Sequence, residues 1–149
     1  MINADKNLFI LIAEDDADDR FLLQTVFDEK GYAEKIEFVE NGIELLKFLN
    51  QRANQKEKDP GYPVFIMLDL NMPKKDGREV LSEIKQHAIF KKIPVIIFTT
   101  TKNENEIKRC YELGANTYVV KPVSFEALVK VVDEIRSYWI ETACTCSID

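Results

Sequence analysis

The sequence predicts an α/β fold in which a five-stranded parallel sheet is flanked by five helices. Short apolar runs alternate with helical patterns along the 149 residues, and this alternation is the first observation. The second is that several runs are apolar at consecutive positions, which is typical of strands covered on both faces. Strands joined by helices require right-handed crossovers, so we expect all five strands to point the same way.

Each strand is predicted from one apolar run. The first run ends at a cluster of acids, the third at Asp69, the fourth at three threonines and the fifth at Lys121. Runs this short favour strands over helices. They are residues 8–13, 36–39, 64–68, 94–98 and 117–120.

The segments between the runs carry apolar residues at helical spacing. We expect Gly114 to end the fourth helix and Ser124 to cap the fifth. The polar segment 51–62 contains Pro-Gly and is predicted to form a long loop after the second helix. The residues expected on the buried helix faces, from the first helix to the fifth, are Phe21, Leu22, Val26 and Phe27; Ile43, Leu46 and Leu49; Val80, Leu81 and Ile84; Ile107, Cys110, Tyr111 and Leu113; and Phe125, Leu128, Val132, Ile135 and Trp139.

Composition favours a globular protein and argues against several function classes. Hydrophobic residues make up 46% of the chain and charged residues 31%, and the net charge is −6. Because no basic stripe is present, nucleic-acid binding is not expected. No apolar run approaches the roughly 20 residues of a membrane-spanning helix. The first residues also lack the features of a secretory signal. The expected location is therefore the cytoplasm, without a membrane partner.

The chain is predicted to form one domain over residues 1–149. We expect a core of about 7–140 and a flexible tail at 141–149. The cysteines are odd in number and lack metal-binding spacing, so free thiols are expected. The single histidine, His87, has no partner for metal or nucleophile chemistry and is expected at the surface. The cysteines are Cys110, Cys144 and Cys146.

Chemically active side chains follow the predicted strands at their carboxyl ends, where an open α/β sheet binds ligands. Residues 14–19 (EDDADD) follow the first strand, Asp69 the third and Lys121 the fifth, while Thr99 ends the fourth. The last two acids of the first group, Asp18 and Asp19, are expected only to stabilise the start of the first helix. The remaining groups should meet at one rim of the sheet.

Carboxylates gathered at one rim repel one another unless a cation lies between them. Mg²⁺ is expected here because it prefers oxygen ligands and keeps positions that a phosphate oxygen can occupy. Asp69 is then placed to act as a carboxylate nucleophile. Lys121 offers a compact positive charge, and Thr99 a hydroxyl donor, to the oxygens of a transferred phosphoryl group.

Four motifs, in this order, resemble the receiver domain of two-component response regulators. They are AEDD at 13–16, LDLNMPKKDG at 68–77, IIFTTT at 96–101 and YVVKP at 118–122. The resemblance extends over about residues 7–140. It implies the (βα)5 flavodoxin-like, doubly wound fold of chemotaxis-regulator-like receivers.

The resemblance also implies a role for each matched residue. Asp69 becomes the phosphoacceptor, assisted by Thr99 and Lys121. Thr99 and Tyr118 become the switch residues, which respond to the phosphoryl group. The implied Mg²⁺ ligands are Glu14, Asp15, Asp69 and the backbone carbonyl of Asn71.

The implied function is that of a signalling protein rather than an enzyme acting on other molecules. A sensor histidine kinase would supply the phosphoryl group, and the domain would catalyse its own phosphotransfer and dephosphorylation. Phosphorylation would change the surface of the fourth helix, fifth strand and fifth helix. Because no length is left for a DNA-binding output domain, signalling is expected through protein contacts. A narrower similarity, to small, single-domain regulators associated with bacterial phytochromes, rests on residues 68–85, the threonines 99–101, the polar segment 51–62 and the Tyr138–Trp139 ending. It implies a phytochrome-type kinase and a homodimer through the surface of the fourth helix, fifth strand and fifth helix.

Three other functions stay open from the residues alone. A Mg²⁺-dependent phosphotransferase with an aspartyl-phosphate intermediate would need a second acid where the chain has Asn71. A flavin-binding module would need a phosphate loop where the acids of 14–19 stand. A phosphate-independent docking module would keep the fold without using Asp69. The acidic pair also has an alternative, since Asp15–Asp16 could replace Glu14–Asp15.

Overall fold

The computed structural model describes residues 8–54 and 61–145. Its strands are β1 Phe9–Ala13, β2 Lys35–Val39, β3 Ile66–Leu68, β4 Val95–Thr99 and β5 Thr117–Val120. Within the described residues they form one sheet in the order β2-β1-β3-β4-β5, and every neighbouring pair is parallel. Each strand corresponds to one predicted apolar run. The predicted fold class is therefore confirmed.

In the part of the chain that the structure describes, five α-helices connect or follow the strands, and each begins at a side-chain cap. The cap oxygen accepts a hydrogen bond from a free backbone N–H of the first turn, which stabilises the helix start. Ser124 caps the fifth helix as predicted, by accepting from the Ala127 amide. The helices are α1 Ala17–Lys30, α2 Gly42–Ala53, α3 Gly77–Gln86, α4 Glu104–Glu112 and α5 Phe125–Arg136, and the other caps are Asp16, Asn41, Asp76 and Asn103. Across residues 8–54 and 61–145, no helix is long and apolar enough to cross a membrane.

Helices cover both faces of the sheet, so consecutive residues of one strand enter different cores. Leu11 of β1 belongs to the core on the side of α2 and α3, whereas Ile10 and Ile12 belong to the core on the side of α1 and α5. All three side chains are almost fully buried. This two-sided burial explains why the sequence shows continuous apolar runs rather than an alternating pattern.

The predicted helix faces are partly wrong. Several residues expected in the core are exposed, and Leu23 and Leu45 are buried in their place. The reason is the phase of the helix: α1 and α2 carry apolar residues on more than one side, and only the side facing the sheet is covered. The exposed residues are Phe21, Leu22, Ile43, Tyr111 and Phe125.

Two predicted boundaries also differ from the structure. The loop predicted at 51–62 begins later, because α2 continues to Ala53, and residues 55–60 lie outside the described residues. Residues 141 and 142, predicted to belong to a flexible tail, instead lie in a π-helical segment, Ser137–Thr142, that follows α5. Residues 146–149 lie outside the description.

The prediction for the described cysteines is confirmed, whereas the prediction for the histidine is wrong. Cys110 is buried in α4 and Cys144 is exposed, and both are free thiols, as predicted. Cys146 lies outside the described residues. His87 is half-buried rather than a surface residue, because its ring stacks on Phe90 with 3.7 Å between centroids. Its Nδ1 accepts two backbone hydrogen bonds, which gives this imidazole a structural role.

Candidate functional site

The carboxyl ends of β1, β3, β4 and β5 bring the predicted polar residues to one rim. Asp69 directly follows β3, and its backbone N–H donates to the Ala13 carbonyl at the end of β1 over 3.1 Å. Glu14, Asp69 and Thr99 are buried, with exposed fractions of 2%, 6% and 0%. Buried polar groups at the end of a sheet require partners. Here Thr99 bonds to Asp69, and Lys121 pairs with both Glu14 and Asp69.

The Asp69 carboxylate is held by hydrogen bonds to both of its oxygens. Oδ1 accepts from the Thr99 hydroxyl at 2.8 Å and from the Asn71 backbone N–H at 3.2 Å. Oδ2 accepts from the Lys121 ammonium at 3.0 Å. The start of α3 packs against the Asp69 backbone, where a Cβ on Gly77 would lie only 2.5 Å from the Asp69 carbonyl. A glycine is therefore needed beside the candidate phosphoacceptor.

The Lys121 ammonium lies among three carboxylates. Its Nζ is 2.5 Å from Glu14 Oε1, 2.9 Å from Asp19 Oδ2 and 3.0 Å from Asp69 Oδ2. The lysine side chain is only 10% exposed. Burial alone would lower the pKa of Lys121, but these carboxylates outweigh it and raise the pKa above its usual range.

Asp19 is a residue of this site that the sequence analysis missed. The prediction that it only stabilises the start of α1 is wrong, because its carboxylate pairs with Lys121. Side chains of a helix lean toward its N-terminus, and the N-terminus of α1 faces this rim. No sequence signal marked the contact, because Asp18 lies in the same turn with the same charge and does not pair with Lys121.

Three carboxylates at the rim are close enough to share a metal ion. Glu14, Asp15 and Asp69 each offer an oxygen within 4.8 Å of the others. Burial raises the pKa of Glu14 to about 7 despite the nearby lysine, and the Asp69 charge adds to that rise. A hard divalent cation fits this set, since all the donors are oxygens and their combined negative charge exceeds the positive charge of Lys121.

The structure distinguishes between the two acidic pairs at the end of β1. Glu14 and Asp15 lie in the carboxylate group with Asp69, whereas Asp16 caps α1 and accepts from the Asp18 amide at 3.0 Å. The geometry therefore favours Glu14–Asp15 over Asp15–Asp16.

Tyr118 connects β5 to the segment that precedes α4. Its hydroxyl donates to the Thr101 backbone carbonyl at 2.8 Å, and its backbone N–H donates to the Tyr111 hydroxyl at 3.0 Å. The exposed Asn71 side chain also reaches this segment, where its amide donates to the Thr101 hydroxyl at 3.3 Å. Partial burial raises the pKa of Tyr118, so its hydroxyl keeps its proton. Thr101 thus receives contacts from the candidate switch residue and from the rim.

Arg78 connects the start of α3 with α4, a contact that the sequence did not indicate. It is held by the α3 cap Asp76 through two bonds of 3.0 and 3.1 Å, and its Nε also pairs with Glu106 of α4. The start of α3 lies against Asp69, so Arg78 joins the surroundings of the candidate phosphoacceptor to α4. No motif marks this pair, because the two residues lie on different helices.

Comparison with known proteins identifies the family. The response regulator receiver domain matches residues 10–133. The chain belongs to this family. Proteins of this family are signalling proteins of two-component systems, and receiver domains bind a divalent metal ion.

Individual relatives are similar over almost the whole chain. The response regulator Rcp1 of Synechocystis sp. is 41% identical over 133 residues, which cover 89% of each chain. The phosphorylated cyanobacterial phytochrome response regulator RcpA has a TM-score of 0.85 at 35% identity, covering 95% of this chain and 99% of RcpA. The Mn²⁺-bound form of Rcp1 has a TM-score of 0.81 at 39% identity, covering 94% and 99%. The chain thus resembles small regulators of the phytochrome-associated kind.

Proposed function

We propose that this protein is a response regulator receiver that accepts a phosphoryl group on Asp69 from a sensor histidine kinase. One observation carries the proposal. A buried carboxylate is bonded to Thr99 and Lys121, and it lies with Glu14 and Asp15 within the reach of one cation. A carboxylate nucleophile surrounded by donors and metal ligands is the arrangement that acyl phosphate formation requires.

In the proposed reaction an Asp69 oxygen attacks the phosphorus of the donor. A new P–O bond forms, and the bond to the leaving group breaks, with its electron pair departing on that group. Lys121 offsets the charge that the incoming phosphoryl oxygens bring, and Thr99 is placed to donate a hydrogen bond to one of them. Mg²⁺ would supply further positive charge when held by Glu14, Asp15, Asp69 and the Asn71 carbonyl.

The phosphoryl group would then be lost by reaction with water within the same site. The domain would catalyse this step itself, as it would catalyse the phosphotransfer, without acting on any other substrate. The Asn71 and Thr101 side chains lie beside the rim and bond to each other, so they are placed to influence how water reaches Asp69. Residue 71 offers an amide rather than a second acid, which supports a receiver over a phosphotransferase.

The proposed output is a shift between two conformations. A phosphoryl group on Asp69 competes for the Thr99 hydroxyl, which now donates to Oδ1. Movement of Thr99 would free space for Tyr118 to change its contact with Thr101. These contacts connect the rim with the surface formed by α4, β5 and α5. The phosphoryl group can drive the shift only by bonding the two conformations differently, and Thr99 and Lys121 are the groups placed to do so.

The partners would be other proteins. Apolar side chains are exposed at the start of α1 and just after Lys121, and they include Phe21 at 70% and Val123 at 105% exposure. A kinase that delivers phosphate to Asp69 has to contact this rim. The similarity to Rcp1 and RcpA supports a phytochrome-type kinase and a homodimer through α4, β5 and α5. The expected location is the cytoplasm.

Intact mass spectrometry tests the proposal. The protein is incubated with acetyl phosphate, with Mg²⁺ or with a chelator, beside Asp69→Asn and the control Asp28→Asn. We expect wild type and the control to gain one phosphoryl group that depends on Mg²⁺, and Asp69→Asn to gain none. A matched control is available because Asp28 is an exposed acid of α1. If no adduct forms, and the phosphate mimic beryllofluoride does not bind either, the fold acts as a phosphate-independent docking module.

A further inference from the structure

We propose that Asp19 is a positioning residue, which holds the Lys121 ammonium when a divalent cation occupies the site. The inference rests on the proposed function, because it assumes that Glu14, Asp15 and Asp69 bind that cation. It assigns to an acid outside the four matching motifs a part in the same chemistry.

The first observation is a competition between two cations. Lys121 Nζ lies 2.5 Å from Glu14 and 3.0 Å from Asp69, and both residues belong to the group of three carboxylates that can share a metal ion. A divalent cation bound there would repel the ammonium and claim the same oxygens. The lysine side chain is only 10% exposed, so it cannot simply turn into water. The ammonium therefore needs another carboxylate nearby.

Asp19 is the partner of Lys121 that does not belong to the metal group. Its Oδ2 lies 2.9 Å from Nζ, and its side chain is 34% exposed. The two residues are 102 positions apart, so their contact depends on tertiary packing. That packing is firm, because Leu23 of α1 and Val132 of α5 are 1% exposed in the same core. Asp19 thus offers the ammonium a fixed position outside the metal group but still at the rim.

A neighbouring acid provides a matched control. Asp18 is also in the first turn of α1 and carries the same charge, but it is exposed and forms no ion pair with Lys121. Replacing Asp18 removes a negative charge from the same helix turn without changing the partners of the ammonium. It separates the effect of local charge from the effect of the contact.

The test measures binding of Mn²⁺, alone, by the electron paramagnetic resonance signal of the free ion. Asp19→Asn is compared with Asp18→Asn, each in wild type and in a Lys121→Gln background. We expect Asp19→Asn to weaken binding roughly fivefold, as the loss of a favourable part-buried ion pair would, and Asp18→Asn to change it by less than about twofold. In the Lys121→Gln background the two variants should be equal. Asp19→Glu should restore most of the affinity, and thermal unfolding should show that all variants fold.

Each result has one meaning. Equal effects of Asp19→Asn and Asp18→Asn in wild type, or an effect of Asp19→Asn that persists fully in Lys121→Gln, would overturn the inference. Failure of wild type itself to bind Mn²⁺ would contradict the proposed metal site, and the role of Asp19 with it. Normal binding by wild type with an inert Asp19→Asn would remove only the role of Asp19.

Discussion

Each end of the sheet carries a cluster of ion pairs around one cation from the last part of the chain. The two clusters differ in how their positive and negative charges are balanced. At the amino end, Arg136 meets one buried carboxylate, Glu34, through two bonds of 2.6 and 2.9 Å, and the exposed carboxylate of Glu141 at 3.1 Å. At the carboxyl end, Lys121 is shared by two buried carboxylates, Glu14 and Asp69, and by Asp19. Both cations are at most 15% exposed.

The buried charges at the amino end match one to one, because Arg136 is paired with a single buried carboxylate, Glu34. The planar guanidinium of Arg136 fits both oxygens of Glu34, and it stacks 4.5 Å from the centre of the Tyr32 ring. The Tyr32 hydroxyl donates to Asp133 at 2.6 Å. The carboxylate raises the pKa of Arg136 above its usual range. Such a cluster fixes α5 against the segment between α1 and β2, and nothing in it calls for a ligand.

The carboxyl end keeps a surplus of negative charge. One ammonium faces two buried acids, and Asp15 lies with those acids without an ammonium of its own among the described residues. A surplus of this kind is relieved by a cation from solution or by protonation. Comparing the two ends therefore teaches that unmatched buried charge, rather than the number of ion pairs, identifies the functional end of the sheet.

The largest effect is expected from breaking the matched pair. Arg136→Met should lower the free energy of unfolding by about 3 kcal/mol, because Glu34 would stay buried without its partner. Urea unfolding measures the loss. Asp69→Asn is the comparison at the other end, where relief of repulsion should keep stability within about 1 kcal/mol of wild type. A larger loss from Asp69→Asn than from Arg136→Met would contradict the distinction between the two ends.

A smaller effect is expected from removing the shared cation. Lys121→Gln should tighten Mg²⁺ binding roughly fivefold, because the ammonium no longer competes for Glu14 and Asp69. Isothermal titration calorimetry measures the affinity. Lys130→Gln is the control, since it removes the same charge from an exposed position of α5. Weaker Mg²⁺ binding in Lys121→Gln would show that the lysine supports the metal site rather than opposing it.

The smallest effect concerns Lys85, a half-buried cation that faces carbonyl groups instead of acids. Lys85 Nζ donates to the backbone carbonyls of Ile93 at 2.7 Å and Lys91 at 3.2 Å, and burial lowers its pKa to about 8. Between that value and the unfolded value near 10.5, the unfolded chain binds more protons, so stability should rise with pH. We expect a gain of at most about 1 kcal/mol from pH 8 to pH 9 relative to Lys85→Met. Chemical unfolding at both pH values gives the difference, and a loss in place of a gain would mean that the carbonyl dipoles keep the lysine charged.

Local sequence patterns are enough to predict the strands and the rim. The apolar runs 64–68 and 94–98 end directly at their polar residues, so the positions of Asp69 and Thr99 follow once the strands are parallel. The helix faces are harder, since Phe21 satisfies the spacing of a buried face and is 70% exposed. Spacing gives the period of a helix, whereas the side that is covered depends on where the helix packs.

Contacts between distant segments could not be predicted from one sequence. The pair of Asp19 with Lys121 and the pair of Glu34 with Arg136 each join residues 102 positions apart. Both depend on how α1 and its connection to β2 lie beside β5 and α5, and no local motif records that arrangement. The sequence therefore indicates which groups reach the rim, while the sharing of charge among them is visible only in the fold.

Localisation of the phosphoryl group tests the central claim most directly. After incubation with acetyl phosphate and Mg²⁺, the protein is treated with borohydride, which reduces an acyl phosphate to an alcohol, and its peptides are sequenced by mass spectrometry. The account predicts homoserine at position 69 and unchanged acids at positions 14 and 15. Reduction at Glu14 or Asp15, or a phosphoryl group that resists borohydride and stays on another side chain, would contradict it.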